Sequence, residues 1–131
     1  IPRNTLFKKL LDHNINGKFY DCITNMYTGD QSCIKIVSRI TNTFAVNQGV
    51  KQGCILSPLL FNIFLSDLQH KLETTGNTPA EISPHETLGC LIWADDLLLL
   101  SQTETGLNNM LDTLNKFSQD NDLTVNMDKT K

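Results

Sequence analysis

Apolar side chains recur at helical spacing in four stretches of this chain. The first helix is predicted from Asn4, its N-cap, to His13, and the second runs from the breaker Asn16-Gly17 to the closing pair Gly29-Asp30. The third begins at Ser57-Pro58, and the fourth follows Ser101 and Glu104, which resemble a capping box. Their apolar positions are Leu6, Phe7, Leu10 and Leu11; Phe19, Ile23 and Met26 or Tyr27; Leu59, Leu60, Phe61, Ile63, Phe64, Leu65, Leu68 and Leu72; and Leu107, Met110, Leu111, Leu114 and Phe117.

Other segments have the composition of strands. Residues 33–37 and 43–46 predict one hairpin, and residues 88–94 and 97–101 predict a second hairpin with Asp95-Asp96 as its turn. The second pair is so apolar that we expect cover on both faces. Residues 123–126 predict a short last strand, and residues 74–86 a loop rich in Thr, Pro, Gly and Glu.

The order α, α, β, β, α, β, β, α, β contains no regular βαβ repeat. It indicates an α+β fold, with helices packed on one face of an antiparallel sheet. We see no internal repeat and no composition shift long enough for a linker. We therefore interpret residues 1–131 as part of one domain with no second domain. Ile1 at the start and a polar run at the end suggest a piece of something longer.

Composition narrows the possible functions. Of 131 residues, 40% are hydrophobic and 19% charged, which is a globular balance. The formal net charge of −3 argues against a freestanding nucleic-acid-binding module, which is usually basic. No apolar run approaches the length of a membrane span, and no signal peptide is visible. The four cysteines form no C-x-x-C pair, and the three histidines have no zinc spacing, so we predict free thiols.

Asp95 and Asp96 lie between two apolar segments. The simplest interpretation is a tight polar turn. Two carboxylates about 4 Å apart repel, however, by roughly 1 kcal/mol in water and roughly 4 kcal/mol at a dielectric constant of 20. A divalent cation would offset this repulsion, and Mg²⁺ commonly binds one or two carboxylates together with substrate phosphates. The pair is therefore a candidate metal site for phosphoryl transfer by two ions.

Two further segments are candidates for phosphate chemistry. The loop Gly49-Val50-Lys51-Gln52-Gly53 leads into the helix at Ser57-Pro58; its glycines permit close backbone approach, and a helix N-terminus favours anions. From these residues alone, a connecting loop and an ordinary capped helix remain the favoured interpretation. Likewise, the run 126–131 is most simply a solvated end, although a lysine near a phosphate would stabilise developing charge.

Taken together, three segments resemble blocks of the reverse transcriptases. Gly49-x-x-Gln52-Gly53-x-x-x-Ser57-Pro58-x-Leu60-Phe61 is similar to one block, Trp93-Ala94-Asp95-Asp96 to the aromatic-x-Asp-Asp hairpin, and Asn126-Met127-Asp128-Lys129-Thr130 to the Asn-x-x-Lys-Thr block that follows. Their order and spacing agree as well, so the resemblance covers nearly the whole chain. The form Gln-Gly-Cys-x-Leu-Ser-Pro is typical of LINE-like, non-LTR retrotransposons.

The resemblance implies a polymerase palm with part of the fingers, and Mg²⁺ or Mn²⁺ as cofactor. Asp95 would be a metal-ligating catalytic aspartate, Asp96 would contribute to the same metal site less directly, and Lys129 would lie near the incoming triphosphate. The reaction would be attack of a DNA primer 3′-hydroxyl on the α-phosphate of a deoxynucleotide, with RNA as template. Its setting would be intracellular, and nuclear in a eukaryotic element. The residues implied to line the nucleotide and template pocket are Gly49, Lys51, Gln52, Gly53, Ser57 and Pro58.

The sequence departs from the family in two ways. Trp93 stands where Tyr or Phe is more usual, which keeps the aromatic character. In the family, the first catalytic block ends in Phe-Asp just before a stretch resembling Ile1-Pro2-Arg3, and this block has no counterpart here. Since its aspartate is the other main metal ligand, we expect this fragment alone to be inactive. Two alternatives stay open: a decayed, non-enzymatic relic that binds nucleic acid or a partner, and an unrelated α+β binding domain.

Overall fold

A computed structural model describes residues 1–130, which divide into two compact units. The first unit spans residues 1–57 and the second begins at Pro58. The chain combines helices with small antiparallel sheets, which agrees with the predicted α+β class. Among the described residues, no helix is both long enough and apolar enough to cross a membrane.

The first unit is built on two contacting helices. They bury Leu6 and Leu10 from the first helix, and Ile23 and Tyr27 from the second. The predicted face of the second helix is partly wrong, because Phe19 is 56% exposed. The helices and the four short strands of this unit are α1 (Arg3–Asp12), α2 (Gly17–Tyr27), β1 (Gln31–Ser32), β2 (Lys35–Ile36), β3 (Arg39–Ile40) and β4 (Phe44–Ala45).

Both ends of α1 follow from backbone geometry. The predicted N-cap Asn4 is wrong: Pro2 occupies the cap position in an extended conformation, and the Leu6 amide donates the first helical bond to its carbonyl. At the other end, Asn14 has φ 60° and the Ile15 amide donates to the Leu10 carbonyl. This is a Schellman ending, in which asparagine tolerates the left-handed conformation.

The first predicted hairpin has the wrong partners. β2 pairs with β3 within a tight hairpin, whereas β4 pairs with β1, upstream of residue 33. The β-prone residues 33–37 and 43–46 are therefore not opposite each other. The reason is the turn at Val37, which has φ 54° and reverses the chain earlier than side-chain propensity indicates.

The second unit packs helices against one sheet face. Its buried cluster consists of Leu68, Leu72, Met110 and Phe117. As predicted, a helix begins at Ser57, and its fully buried positions form the four-residue-spaced stripe Leu60, Phe64, Leu68 and Leu72. The elements of this unit are α3 (Ser57–Thr74, whose first residue is the last residue of the first unit), β5 (Ala80–Ser83), β6 (Glu86–Leu88), β7 (Cys90–Trp93), β8 (Asp96–Leu99) and α4 (Glu104–Asp120).

Three strand predictions in this unit need correction. The predicted loop 74–86 contains most of a hairpin, β5 paired with β6, with an irregularity between Glu81 and Ser83. The strand predicted at 88–94 is divided at Gly89, which lies between β6 and β7. No strand forms at 123–126 within the described residues: Asp122 has φ 50° and the Leu123 amide donates to the Ser118 carbonyl, so Leu123 belongs to the Schellman ending of α4 and packs on the cluster.

The predicted capping box at Ser101 and Glu104 is also wrong. Thr103 is the N-cap of α4, and its hydroxyl accepts a hydrogen bond from the Gly106 amide at 3.1 Å. Ser101 instead donates to the Thr78 carbonyl at 2.9 Å. A Cβ on residue 106 would collide with the hydroxyl oxygens of Ser101 and Thr78, so packing favours glycine there.

Replacing Thr103 by alanine is expected to lower the free energy of unfolding by about 1 kcal/mol, since an orphan amide at the helix start loses its acceptor. Urea denaturation followed by circular dichroism measures this change. Thr105→Ala, in the same first turn but outside the cap, is the matched control and should change stability by less than about 0.5 kcal/mol. Equal effects of the two substitutions would contradict the cap assignment.

Candidate active site

The aspartate pair lies at the tip of the hairpin formed by β7 and β8. The ladder pairs Cys90 with Leu99, Leu91 with Leu98, Ile92 with Leu97 and Trp93 with Asp96. The two-residue turn is therefore Ala94-Asp95, one position earlier than predicted, and β8 spans 96–99 instead of 97–101. Asp95 occupies the turn itself, and Asp96 opens the returning strand.

This turn is strained at Ala94, which has φ 51°. A positive φ at the first central residue is a feature of type II′ hairpin turns, where glycine is the usual occupant. A residue with a Cβ in the left-handed region costs roughly 1–2 kcal/mol. Such strain clusters at functional sites, where the surrounding structure holds it in place. The sequence does not indicate the positive φ at residue 94, because alanine is not one of the residues that typically form turns.

One face of the hairpin is anchored to the interior. Ile92, Leu97 and Leu99 pack on the cluster formed by α3 and α4, as does Cys90. Side chains therefore alternate along each strand between this face and the solvent. The anchoring fixes the turn relative to two helices, so the carboxylates sit on a rigid support.

The other face is open, so the predicted cover on both faces is wrong for this chain. Trp93 is 82% exposed, and Leu91 and Leu98 are about half exposed. Asp95 and Asp96 are exposed as well. The prediction was based on the apolar composition of these strands. In the structure, the open face is an apolar surface bordered by the two carboxylates.

The pair suits a divalent cation in its chemistry, because two adjacent carboxylates supply the hard oxygen ligands that Mg²⁺ takes together with substrate phosphates. Within residues 1–130, no group of three or more His, Cys, Asp or Glu side chains is placed to hold a metal ion. The residues present therefore fit one part of a metal site, which substrate and further ligands would complete.

The loop around Gln52 is a defined structure in the first unit. The Cys54 amide donates to the Lys51 carbonyl at 3.2 Å, and Gly53 has φ 81°. Since a type II turn requires a positive φ at its third residue, glycine is needed there. The same Lys51 carbonyl accepts a hydrogen bond from the Ser57 hydroxyl. The turn therefore links Lys51 to the first residue of α3 and leaves Gln52 exposed.

Arg3 and Asp30 hold the start of this loop. Arg3 is 8% exposed, and its Nε donates to the Gly49 carbonyl at 3.0 Å. Its Nη2 donates to Asp30 Oδ2 at 2.9 Å, while Lys51 Nζ lies 3.2 Å from Asp30 Oδ1. The sequence prediction missed both Arg3 and Asp30, because a helix-start arginine and an aspartate after a turn glycine have no distinctive pattern.

Electrostatics keeps Asp30 ionised. Partial burial raises the pKa of its carboxyl, but the hydrogen bonds and charges of Lys51 and Arg3 outweigh that effect, so the pKa lies below its ordinary value. Because the folded pKa is lowered, this network stabilises the fold at pH values above the ordinary carboxyl pKa. The contribution is lost as the pH falls through the lowered value.

Lys129 lies in a short turn near the end of the described chain. The Asn126 carbonyl accepts bonds from the amides of Lys129 and Thr130, and the Asn126 side chain accepts from the Asp128 amide at 3.1 Å. The Asn-x-x-Lys-Thr spacing is thus a self-contained turn with Lys129 exposed. Val125, within the predicted strand 123–126, is not in a strand.

The structure thus places the predicted site residues in two groups. Gly49, Lys51, Gln52 and Gly53 share one loop of the first unit, and Ser57, the first residue of α3, is the last residue of that unit. Pro58, the aspartate pair and Lys129 belong to the second unit. All four cysteines are free thiols, as predicted. Burial and the nearby Glu73 carboxylate raise the pKa of the Cys90 thiol, so it is a packing residue.

A profile of the reverse transcriptase (RNA-dependent DNA polymerase) family matches residues 1–131. The chain belongs to this family, whose members generally use divalent metal ions. The resemblance read from the three sequence blocks is confirmed.

Its relatives include Pol polyproteins of R2 retrotransposable elements. The chain is 34% identical over 119 residues to the Retrovirus-related Pol polyprotein from type-1 retrotransposable element R2 of Popillia japonica, covering 91% of this chain and 19% of that protein. It is 32% identical to the type-2 element R2DM polyprotein of Drosophila melanogaster, covering 85% of this chain and 10% of that protein. A type-1 R2 polyprotein of Nasonia vitripennis is 32% identical over 76% of this chain and 10% of its own length. The chain thus spans a fifth or less of these relatives.

Proposed function

We propose that this chain is the palm segment of a retrotransposon reverse transcriptase that copies RNA into DNA by two-metal-ion nucleotidyl transfer. The observation that carries the proposal is the hairpin tip, where two exposed carboxylates sit on a strained turn anchored to a helical core. The two carboxylates repel each other, and the backbone at Ala94 is strained. A metal-dependent role explains why the chain keeps both of these unfavourable features. The family membership supplies the reaction class.

In this proposal, Asp95 is a direct metal ligand and Asp96 supports the same site. A bound pair of divalent ions would lower the barrier by stabilising the attacking and leaving oxygens of an in-line displacement. The chain itself holds the carboxylates at a fixed position and excludes water from one side of the hairpin. The apolar face carrying Leu91, Trp93 and Leu98 would be covered by another palm segment in a longer protein.

The loop carrying Gln52 would contact the nucleotide and template. Gln52 is exposed and offers both a donor amide and an acceptor carbonyl, which suits hydrogen bonds to a base or sugar. Lys51 is partly exposed and cationic, so a phosphate is its natural partner. Lys129, presented by its own turn, would lie near the triphosphate and stabilise charge on the departing pyrophosphate.

RNA template, DNA primer and deoxynucleoside triphosphates would be the partners of the longer protein. Its setting would be intracellular, and the nucleus in a eukaryotic element. A decayed relic is the second candidate, and it differs from the first in one testable respect, catalysis.

Primer extension tests this function. The isolated chain on a primed RNA template with Mg²⁺ is expected to give no extension, because the family's other metal-ligating aspartate belongs to an upstream block. A longer protein that joins this chain to an intact upstream block should extend the primer on RNA. Extension by the isolated chain that Asp95→Ala abolishes would overturn the first expectation. A folded longer protein that never extends would favour the relic.

A further inference from the structure

The loop Gly49–Gly53 is held by charged side chains that belong to other parts of the first unit. Arg3 lies at the start of α1, and Asp30 lies directly before β1. Neither residue belongs to the three segments whose resemblance to reverse transcriptase blocks assigned the candidate site residues. Their contacts nevertheless converge on the loop that the proposed function assigns to nucleotide and template.

Arg3 is the centre of this network. Its three nitrogens donate to the carbonyls of Tyr27, Val46 and Gly49 and to the Asp30 carboxylate. The guanidinium also lies 4.9 Å from the centre of the Tyr27 ring. Only arginine offers this many donors in a planar fork, so lysine cannot reproduce the arrangement.

Asp30 connects Arg3 to Lys51 through different carboxylate oxygens. Oδ2 accepts from Arg3, and Oδ1 lies 3.2 Å from Lys51 Nζ. Lys51 Nζ is also 5.8 Å from the centre of the Tyr27 ring, the same ring that the Arg3 guanidinium contacts. Two cations share one anion and one ring, so the three charged side chains carry a net positive charge, and Lys51, whose side chain is 39% exposed, is their most accessible member.

Backbone contacts tie the start of the loop to the same residues. The Gly49 amide donates to the Ile1 carbonyl at 2.8 Å, and Pro2 forms an isolated antiparallel bridge with Gln48. The Val46 amide donates to the Asp30 carbonyl at 2.9 Å. The loop is therefore fixed at its first residue, on the strand that leads into it, and at Lys51. Between Lys51 and the helix start it is closed by its own turn.

We propose that Arg3 and Asp30 are positioning residues that fix the conformation of the loop Gly49–Gly53 and the direction of the Lys51 ammonium. This inference rests on the proposed function for its biological meaning, because the loop matters only if it contacts nucleotide or template. Arg3 and Asp30 touch no reacting atom in this account. They act on the reaction by presenting Lys51 and Gln52 in one arrangement.

The buried hydroxyl of Tyr27 indicates that Tyr27 takes part in the network through its ring and not through its oxygen. It has no hydrogen-bond partner among residues 1–130, although Tyr27 is only 3% exposed. A buried hydroxyl without a partner costs about 1–3 kcal/mol. Since the two cations contact the ring face, phenylalanine at this position should keep the network and serve as a control variant.

NMR of the full 131-residue chain tests the inference. In the wild type, the backbone order parameters of residues 49–53 should match those of α2, about 0.85. In Asp30→Asn and in Arg3→Lys they should fall below about 0.6 for Lys51 to Gly53. The order parameters of the interior of α1, of the interior of α2 and of β8 should stay at their wild-type values, which shows that each variant folds. Tyr27→Phe should leave the order of the loop as it is.

A pH profile separates positioning from general stability. The charged groups facing Asp30 are Arg3 from α1 and Lys51 from the loop. The amide shifts of Lys51, Gln52 and Gly53 should titrate together in wild type, with a midpoint below that of ordinary carboxyls. The same titration should vanish in Asp30→Asn. An unchanged titration in that variant, or a loop that stays ordered in both variants, would overturn the inference.

Should Arg3→Lys unfold the first unit, the double variant Arg3→Gln/Asp30→Asn replaces it, since no unpaired charge is left buried. It should fold with a disordered loop, and a folded double variant with an ordered loop would overturn the inference. Gln52→Ala tests the proposed function separately. In a longer protein that joins this chain to an intact upstream block, it should weaken binding of a primed RNA template, and in this chain it should leave loop order unchanged. Failure of that binding effect would count against the loop's role in the proposed function, while the order parameters would still decide the positioning inference.

Discussion

Phe117→Ala is expected to destabilise the chain by about 3–5 kcal/mol, the range for emptying a phenylalanine site in a packed interior. Phe117 is 1% exposed and lies in the cluster with Leu68, Leu72 and Met110. Its ring also lies 5.5 Å from the ammonium of Lys71. Because a domain of this size is stable by only about 5–15 kcal/mol, a loss of this size removes a large share of the total.

Urea denaturation followed by circular dichroism measures the loss. Leu111→Ala is the matched control, since Leu111 lies on the same helix and is 44% exposed. It should cost less than about 1 kcal/mol. A Phe117 variant as stable as the Leu111 variant would show that α4 is not packed through this face, and the anchoring of the hairpin would lose its basis.

Asp95→Asn should reduce primer extension by at least about a hundredfold in a longer protein that supplies the upstream block. Asparagine keeps the shape of the side chain but removes the negative charge that would hold the metal. Removing one preorganised electrostatic partner of a transition state typically costs 10²–10³ in rate. The fold should be unaffected, because Asp95 is exposed in a turn and has no packing role.

Steady-state extension on a primed RNA template measures this effect, with circular dichroism as the folding check. Asp112→Asn, an exposed aspartate on α4, is the charge-matched control and should extend at the wild-type rate. If Asp95→Asn extends as fast as Asp112→Asn, the aspartate pair is a turn and not a metal site.

The helices were predictable because their signals are local. Ser57-Pro58 marks the start of α3, and the four-residue spacing of Leu60, Phe64, Leu68 and Leu72 follows its buried stripe. The strands were harder, because pairing depends on where the chain turns. Val37 and Asp122 adopt positive φ without being glycine, and these positions decide the register of β2 and β3 and the ending of α4. Propensity scales do not contain that information.

The candidate site residues are still predictions, and the side chains that support their loop were not predicted. The aspartate pair, Gln52 and Lys129 were proposed from spacing and from resemblance. Arg3 and Asp30 were not, because their importance comes from contacts across 27 residues of sequence. Nor did the strands' hydrophobicity indicate that only one face of β7 and β8 is covered within this chain.

The proposed function requires that the Asp95-Asp96 tip forms part of a divalent-metal site. The most direct test is titration of the chain with Mg²⁺ and with paramagnetic Mn²⁺, followed through the backbone amides of residues 94–97. We expect local shifts with Mg²⁺ and line broadening with Mn²⁺ that both vanish in Asp95→Asn. No local response in a well-dispersed spectrum, or an equal response in Asp95→Asn, would contradict it.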